Sequence, residues 1–236
     1  MTAAPAVLTC DAVLFDMDGT LVDSTAVVER QWGRWAERRG ASLAAILAVS
    51  HGRPTLETLS LIAPQWATAE EAAALEASER DDDEGVVAVR GAPALIAALP
   101  PMRWAVVTSA GQTLARARLT RAGLTVPAVL VTSNDVSRGK PDPAGYLEAA
   151  RRLGVRPERC VVFEDAPVGV TAGLAAGATV IGMTTTFAML DGCANRVADF
   201  SAVHMIDAGP PVRLEIPQPR GHDARACRGV VSLERE

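Results

Sequence analysis

Leu14-Phe15-Asp16-Met17-Asp18-Gly19-Thr20-Leu21-Val22-Asp23 decides the fold. The apolar run Val13 to Phe15 predicts a buried strand that stops at Asp16, where two acids, a glycine and a hydroxyl follow. Side chains alternate along extended backbone, so Asp16 and Asp18 share one side while Met17 points away. Two carboxylates then converge on one small volume. That arrangement offers a hard-cation site, a nucleophile and an acid/base, the parts that phosphoryl transfer through an aspartyl-phosphate requires. Gly19 lets the backbone turn sharply beside them, and the Thr20 hydroxyl can fix an acid or a phosphate oxygen. Taken alone, the stretch is also an ordinary strand-to-loop turn, because Asp-Gly is common turn chemistry.

Outward from this stretch the pattern turns helical. Asp23 or Ser24 can cap a helix whose face carries Val28, Trp32 and Trp35, a pair of tryptophans that fits packing. Ala41 to Val49, Thr55 to Ile62 and Thr68 to Arg80 also read as helices, and Asp81 to Glu84 as a solvated end. No strand is convincing between Asp23 and Val86. From Gly91 onward, strands and helices alternate: strands at Arg103–Val107, Val129–Val131, Val161–Phe163 and Thr179–Ile181, with helices at Ala94–Leu99, Leu114–Ala122, Pro143–Leu153 and Val168–Ala176. The expected fold is α/β, a Rossmann-like parallel sheet covered on both faces with an inserted all-helical cap. Residues 1–22 and 88–208 form the expected core, 23–87 the cap, and 209–236 an irregular tail in which Val212 to Ile216 is at most an edge strand.

Ligands of open parallel sheets bind beyond the carboxyl ends of the strands. After Val107 come Thr108 and Ser109 at the start of a helix, a ready phosphate site and also ordinary capping. After Phe163 come Glu164 and Asp165, whose charge at the end of an apolar strand needs a metal or cation to meet it. Between them, Arg138-Gly139-Lys140-Pro141-Asp142-Pro143 contains the only lysine among 23 basic residues. A chain that uses arginine everywhere else keeps a compact, rotatable ammonium here.

Asp16-Met17-Asp18-Gly19-Thr20 resembles the first motif of the haloacid dehalogenase superfamily, whose members are mostly magnesium-dependent phosphatases. Thr108, Lys140 and Glu164-Asp165 follow in the order and strand-end context of that superfamily's other motifs, and the resemblance spans roughly residues 11–187. Ser133-Asn134-Asp135-Val136, Gly139-Lys140-Pro141-Asp142-Pro143 and the run from Val162 to Val170 are most similar to the sugar-phosphatase and glycerol-3-phosphatase branch, as is His51-Gly52-Arg53 within the cap. The resemblance implies Asp16 as nucleophile and Asp18 as acid and base, with Thr20, Thr108, Ser109 and Lys140 around the phosphate. It implies His51 and Arg53 in the cap as substrate contacts and Glu57 as a further candidate. It also implies Mg2+, held by Asp16, Asp18 through its backbone carbonyl, Asp165, and Glu164 as ligand or support.

The expected function is therefore hydrolysis of a small sugar or polyol phosphate. A phosphosugar mutase of the same superfamily usually carries a histidine on the helix after the first motif, where this chain has Val27, Val28 and Glu29. A non-catalytic phosphosugar-binding module should have dropped Asp16, Asp18, Lys140 or Asp165, and all four are present.

Composition narrows the class further. The hydrophobic share is 49% and the charged share 22%, ordinary for a globular chain. A net charge of -5 provides no basic patch for nucleic acid or anionic lipid. Cys10, Cys160, Cys193 and Cys227 form no Cys-x-x-Cys pair and read as free thiols of a cytoplasmic protein. No stretch has the length of a membrane span or the pattern of a leader, and a monomer is expected.

Overall fold

The computed structural model describes residues 5–82 and 84–218. Its centre is a six-stranded parallel sheet of β2 (Ala12–Phe15), β5 (Trp104–Val107), β6 (Leu130–Val131), β7 (Cys160–Glu164), β8 (Thr179–Met183) and β9 (Asn195–Val197). The spatial order is β6-β5-β2-β7-β8-β9. Strand β2 sits in the middle, with Val13 opposite both Trp104 and Val161, and Phe15 opposite both Val106 and Phe163. Chain direction across the sheet reverses beside β2, at its boundary with β7, and such a switch point opens the crevice where ligands bind.

Strand β2 is apolar throughout because both sheet faces are covered. Val13 and Phe15 join the cluster packed under α5 (Ala92–Ala98) and α6 (Gln112–Arg121). Ala12 and Leu14 face the opposite cluster, under α7 (Ala144–Leu153) and α8 (Pro167–Ala175). Phe15 stacks on Phe163 at 5.4 Å and meets Trp104 and Phe200 edge-on. The strand carrying Asp16 is thereby fixed from both sides.

The inserted block contains α1 (Thr25–Arg39), α2 (Leu43–Ser50), α3 (Thr55–Ile62) and α4 (Ala69–Asp81). It has a core of its own, built on Trp32, Trp35, Ile46, Leu59 and Leu75, in which the two tryptophans pack edge to face. The chain enters and leaves it through β3 (Val22–Asp23) and β4 (Val87–Ala88), a two-residue antiparallel ladder.

Two expectations need correction. Asp82 is not a solvated end: it accepts from Arg30 Nε at 2.7 Å, Arg30 Nη2 at 2.6 Å and Gln31, which ties the end of α4 to α1, and the Arg30 guanidinium holds its carboxyl well below the usual carboxylate range. The stretch after residue 208 is also more ordered than expected. Strand β11 (Val212–Ile216) is central, not an edge, between β1 (Ala6–Cys10) and β10 (His204–Asp207). Val212, Leu214 and Ile216 are buried against the core, the period-2 pattern of a half-buried strand, so the core extends past 208. The expectation for residues 219–236 lies outside the described residues.

Candidate active site

Asp16 follows β2 directly, and its N–H donates to the Phe163 carbonyl at 3.0 Å, which holds it against the end of β7. Its carboxylate is paired with the Lys140 ammonium, which also donates to Glu164 Oε1 at 2.5 Å. Glu164 Oε1 accepts from the Tyr146 hydroxyl as well, at 2.9 Å, while Oε2 accepts from the Ala166 N–H at 3.1 Å. Residues from β2, β7, α7 and the loop before it thus meet at one point, and all are buried.

Asp16, Glu164 and Asp165 bring carboxylate oxygens within 4.8 Å of one another. Lys140 supplies one positive charge against three acids. Burial, with Glu164 and Asp18 nearby, pushes the Asp16 carboxyl up to about 7 despite Lys140. Asp165 is raised well above the carboxylate range by burial, Asp16 and Glu164. Burial disfavours the Lys140 charge, but Asp16 and Glu164 outweigh it and hold its proton more tightly than usual. A surplus of buried hard-oxygen donors fits a divalent cation such as Mg2+, whose charge would reverse the shifts of the acids. Two glycines make the cluster possible. A Cβ on Gly19, whose φ is +82°, would lie 2.0 Å from Asp165 Oδ2, and one on Gly169 would lie 1.7 Å from Glu164 Oε1.

A pocket opens between this cluster and the helical block. Asp16, Asp18, Thr108, Ser109, His51 and Arg53 all line it. Thr108 is buried, with its hydroxyl accepting from the Ala110 N–H at 3.1 Å at the head of α6. Burial holds the His51 imidazole below its ordinary value, against the pull of Glu29, so it is neutral near pH 7. Its ring meets Phe187 edge-on.

Other expected contacts are placed differently. Thr20 is buried beneath the loop and does not line the pocket. The Ser109 hydroxyl donates to the Gly52 carbonyl at 2.8 Å, so it joins core to cap. Glu57 accepts from the Gly139 N–H at 3.1 Å, beside Lys140, instead of facing the pocket. Lys140 lies behind Asp16, on a smaller cavity shared with Thr108 and Ser109.

Sequence reasoning missed Arg118, Glu79, Ser24 and Thr186, all of which line the pocket, and Tyr146 behind it. Arg118 sits on α6 and Glu79 on α4, both among charged residues of helices whose outward faces are polar. Their one signal is position: Arg118 follows Leu114 and Ala115 by a turn, on the side of α6 that packs inward.

Residues 10–177 match the haloacid dehalogenase-like hydrolase family. Hexitol phosphatase A of Escherichia coli is 46% identical over 177 residues, covering 73% of this chain and 82% of the relative. Glycerol-1-phosphate phosphohydrolase 2 of Saccharomyces cerevisiae is 36% identical, covering 79% and 80%. Among solved structures, a family IA, variant 3 hydrolase from Entamoeba histolytica superposes with a TM-score of 0.70 at 26% identity, over 84% of this chain and 96% of that one. With the family match spanning motifs one to four and phosphatases among its relatives, the chain belongs to the haloacid dehalogenase-like hydrolases and is a phosphoric monoester hydrolase.

Proposed function

We propose that the chain is a Mg2+-dependent phosphatase that hydrolyses a small sugar or polyol phosphate through an aspartyl-phosphate on Asp16. The observation that carries this reading is the placement of Asp16 and Asp18 on the wall of one cap-covered pocket, with Lys140 paired to Asp16 from behind. A carboxylate oxygen of Asp16 attacks phosphorus, and the departing alkoxide takes the proton of the Asp18 carboxyl. Asp18 then removes a proton from water, whose oxygen attacks phosphorus, releases phosphate and restores Asp16.

Two anions must approach for the first step. At 4 Å their repulsion is about 4 kcal/mol at an effective dielectric of 20, so local cations are required. Lys140 supplies one. Mg2+, when bound, would supply the other and neutralise charge on the phosphate. Asp16, Asp165 and the Asp18 carbonyl are the assigned ligands. Glu164 acts as support, since both its oxygens already accept from Lys140, Tyr146 and Ala166. The Thr108 hydroxyl, which only accepts in its contact with Ala110 and so keeps its hydrogen to donate, suits a phosphate oxygen.

The far wall favours a hydroxylated leaving group. Ser50 and Thr58 present buried hydroxyls without protein partners among the described residues, and both line the pocket with neutral His51 and with Arg53. The hexitol and glycerol phosphate specificities named for the relatives support the same class. We assign residues 23–87 as a cap that hinges at 22–24 and 87–91. Buried thiols at Cys10 and Cys160 support a reducing cytoplasm, no helix among the described residues is long and apolar enough to cross a membrane, and a monomer is proposed.

The deciding experiment measures phosphate release from hexose, hexitol and glycerol phosphates with and without Mg2+, beside Asp16→Asn. Release that requires both the metal and Asp16, with loss of at least ~10^4-fold in the variant, is expected. Activity surviving in Asp16→Asn would refute the aspartyl-phosphate.

A further inference from the structure

We propose that Arg118 is a positioning residue that couples docking of the cap to the orientation of Asp18. The inference rests on the reading of Asp18 as acid and base. Arg118 belongs to the core, on α6, and is buried to 4% exposure. Its Nη1 meets Asp18 Oδ1 at 2.9 Å and its Nη2 meets Glu79 Oε2 at 2.5 Å. Glu79 belongs to the cap, on α4. One planar guanidinium therefore joins the two bodies through the carboxylate at the reacting centre.

The arrangement fixes which oxygen of Asp18 works. Ser24 Oγ donates to Oδ1 at 2.7 Å, so Oδ1 takes both structural contacts and Oδ2 is the oxygen left for proton transfer. A rigid fork holds two carboxylates at a set angle, which a rotatable ammonium does not. When the cap lifts, Glu79 leaves and Arg118 loses the contact that sets the tilt of its plane. Nε of Arg118 is buried with no partner among the described residues. The position of the guanidinium is set by its two carboxylate contacts, to Asp18 and to Glu79.

The same seam carries further contacts that bring α4 down on α6. Glu76 accepts from the Gly111 N–H at 3.2 Å, and Arg121 donates to the Arg80 carbonyl. These locate the helices but touch no reacting group. Arg118 alone among these seam contacts reaches Asp18.

The test compares Arg118→Met, Arg118→Lys and Glu79→Gln on two esters, the best alkyl phosphate of the panel and p-nitrophenyl phosphate. An alkoxide must be protonated as it leaves, whereas p-nitrophenolate leaves unaided. General acid–base catalysis is worth roughly 10^2 to 10^4-fold. Arg118→Met and Arg118→Lys are expected to lower kcat on the alkyl ester by about 10^2-fold with KM changed less than about threefold, Glu79→Gln by about tenfold. On p-nitrophenyl phosphate the same variants are expected to release one p-nitrophenolate per site in a burst, followed by slow turnover, because only the second step needs Asp18 as base. The Glu79→Gln/Arg118→Met pair is expected to lose less than the product of the single effects.

Wild-type kcat in Arg118→Lys, or equal loss of the burst and of alkyl turnover with a raised KM, would overturn the proposal, the latter because it marks a merely structural residue. Should Arg118→Met not fold, Arg118→Lys and Glu79→Gln decide alone. Failure of the underlying reading of Asp18 looks different, since Asp18→Asn would then keep wild-type turnover of the alkyl ester.

Discussion

Asp16 and Glu164 leave neighbouring strands of one sheet, whereas Asp18 reaches Glu79 only through Arg118 and across the seam to another body. The floor of the pocket is held by strand register, by the Asp16 N–H on the Phe163 carbonyl and by a buried lysine. The roof is held by side-chain contacts between separable surfaces: Ser109 to Gly52, Gly139 to Glu57, Gly111 to Glu76. The difference teaches a division of labour. In the proposed mechanism, the groups that must stay within bonding distance of phosphorus are those set by the fold, and the groups proposed to choose and enclose the substrate are those set by contacts weak enough to open.

The largest effect should come from breaking the floor. Lys140→Met leaves three buried acids without their cation, and removing one partner of a buried pair costs about 3–5 kcal/mol. Turnover should fall by roughly 10^3-fold through lost charge stabilisation, measured on the best phosphate ester. Lys140→Arg should not restore it, because a planar guanidinium cannot take the place of an ammonium set between Asp16 and Glu164. Full activity in Lys140→Arg would show that the site asks only for charge.

Next comes Gly169→Ala, a single methyl placed where Glu164 lies. A Cβ at 1.7 Å from Oε1 must displace that carboxylate, and with it the contact to Lys140. Groups that orient metal ligands are worth about 10–100-fold in metal affinity, so the Mg2+ concentration for half-maximal activity should rise by that factor. An unchanged metal requirement would place Glu164 outside the metal's support.

This division also explains what the sequence could say. Asp16, Asp18, Thr108, Lys140, Glu164 and Asp165 sit at strand ends or in a loop beside them, and an apolar run that stops at a charge marks such a place in one dimension. Arg118 and Glu79 left no such mark. Each lies one helical turn from other charges, in helices where an ion facing inward and one facing water differ only in register against a partner 39 residues away. Strand β11 was obscured for a related reason: its apolar alternation is five residues long, and only pairing with β10 on one side and with β1, far earlier in the chain, on the other makes it a central strand.

Metal and pH test the floor again, and pH tests the seam with it, at smaller amplitude. The Asp16 carboxyl is raised from 3.8 to about 7 by burial, and Glu79 from 4.5 to about 7, also by burial. Between those values the native metal-free protein holds protons that the unfolded chain has released, so its stability should decline as pH rises from about 4 to about 7. Mg2+ should counter that decline. At a hundredfold excess over its Kd, a ligand adds about 2.7 kcal/mol. The rise in Tm on adding Mg2+ should therefore be large at pH 8 and fade by pH 5, where protons compete for the carboxylates. Equal rises at both pH values would mean that the metal binds elsewhere.

The smallest effect belongs to the roof. Ser109→Ala removes the hydroxyl that reaches the Gly52 carbonyl and leaves the pocket floor intact. A single exposed-to-half-buried hydrogen bond contributes about 1 kcal/mol, or roughly fivefold in an equilibrium. Because Gly52 lies between His51 and Arg53, the loss should loosen the loop that presents both to the substrate. KM for the sugar or polyol phosphate should rise about fivefold while kcat changes little. The opposite split, a fall in kcat at constant KM, would assign Ser109 to the transition state of phosphoryl transfer and so to the floor, moving the boundary between the two halves by one residue.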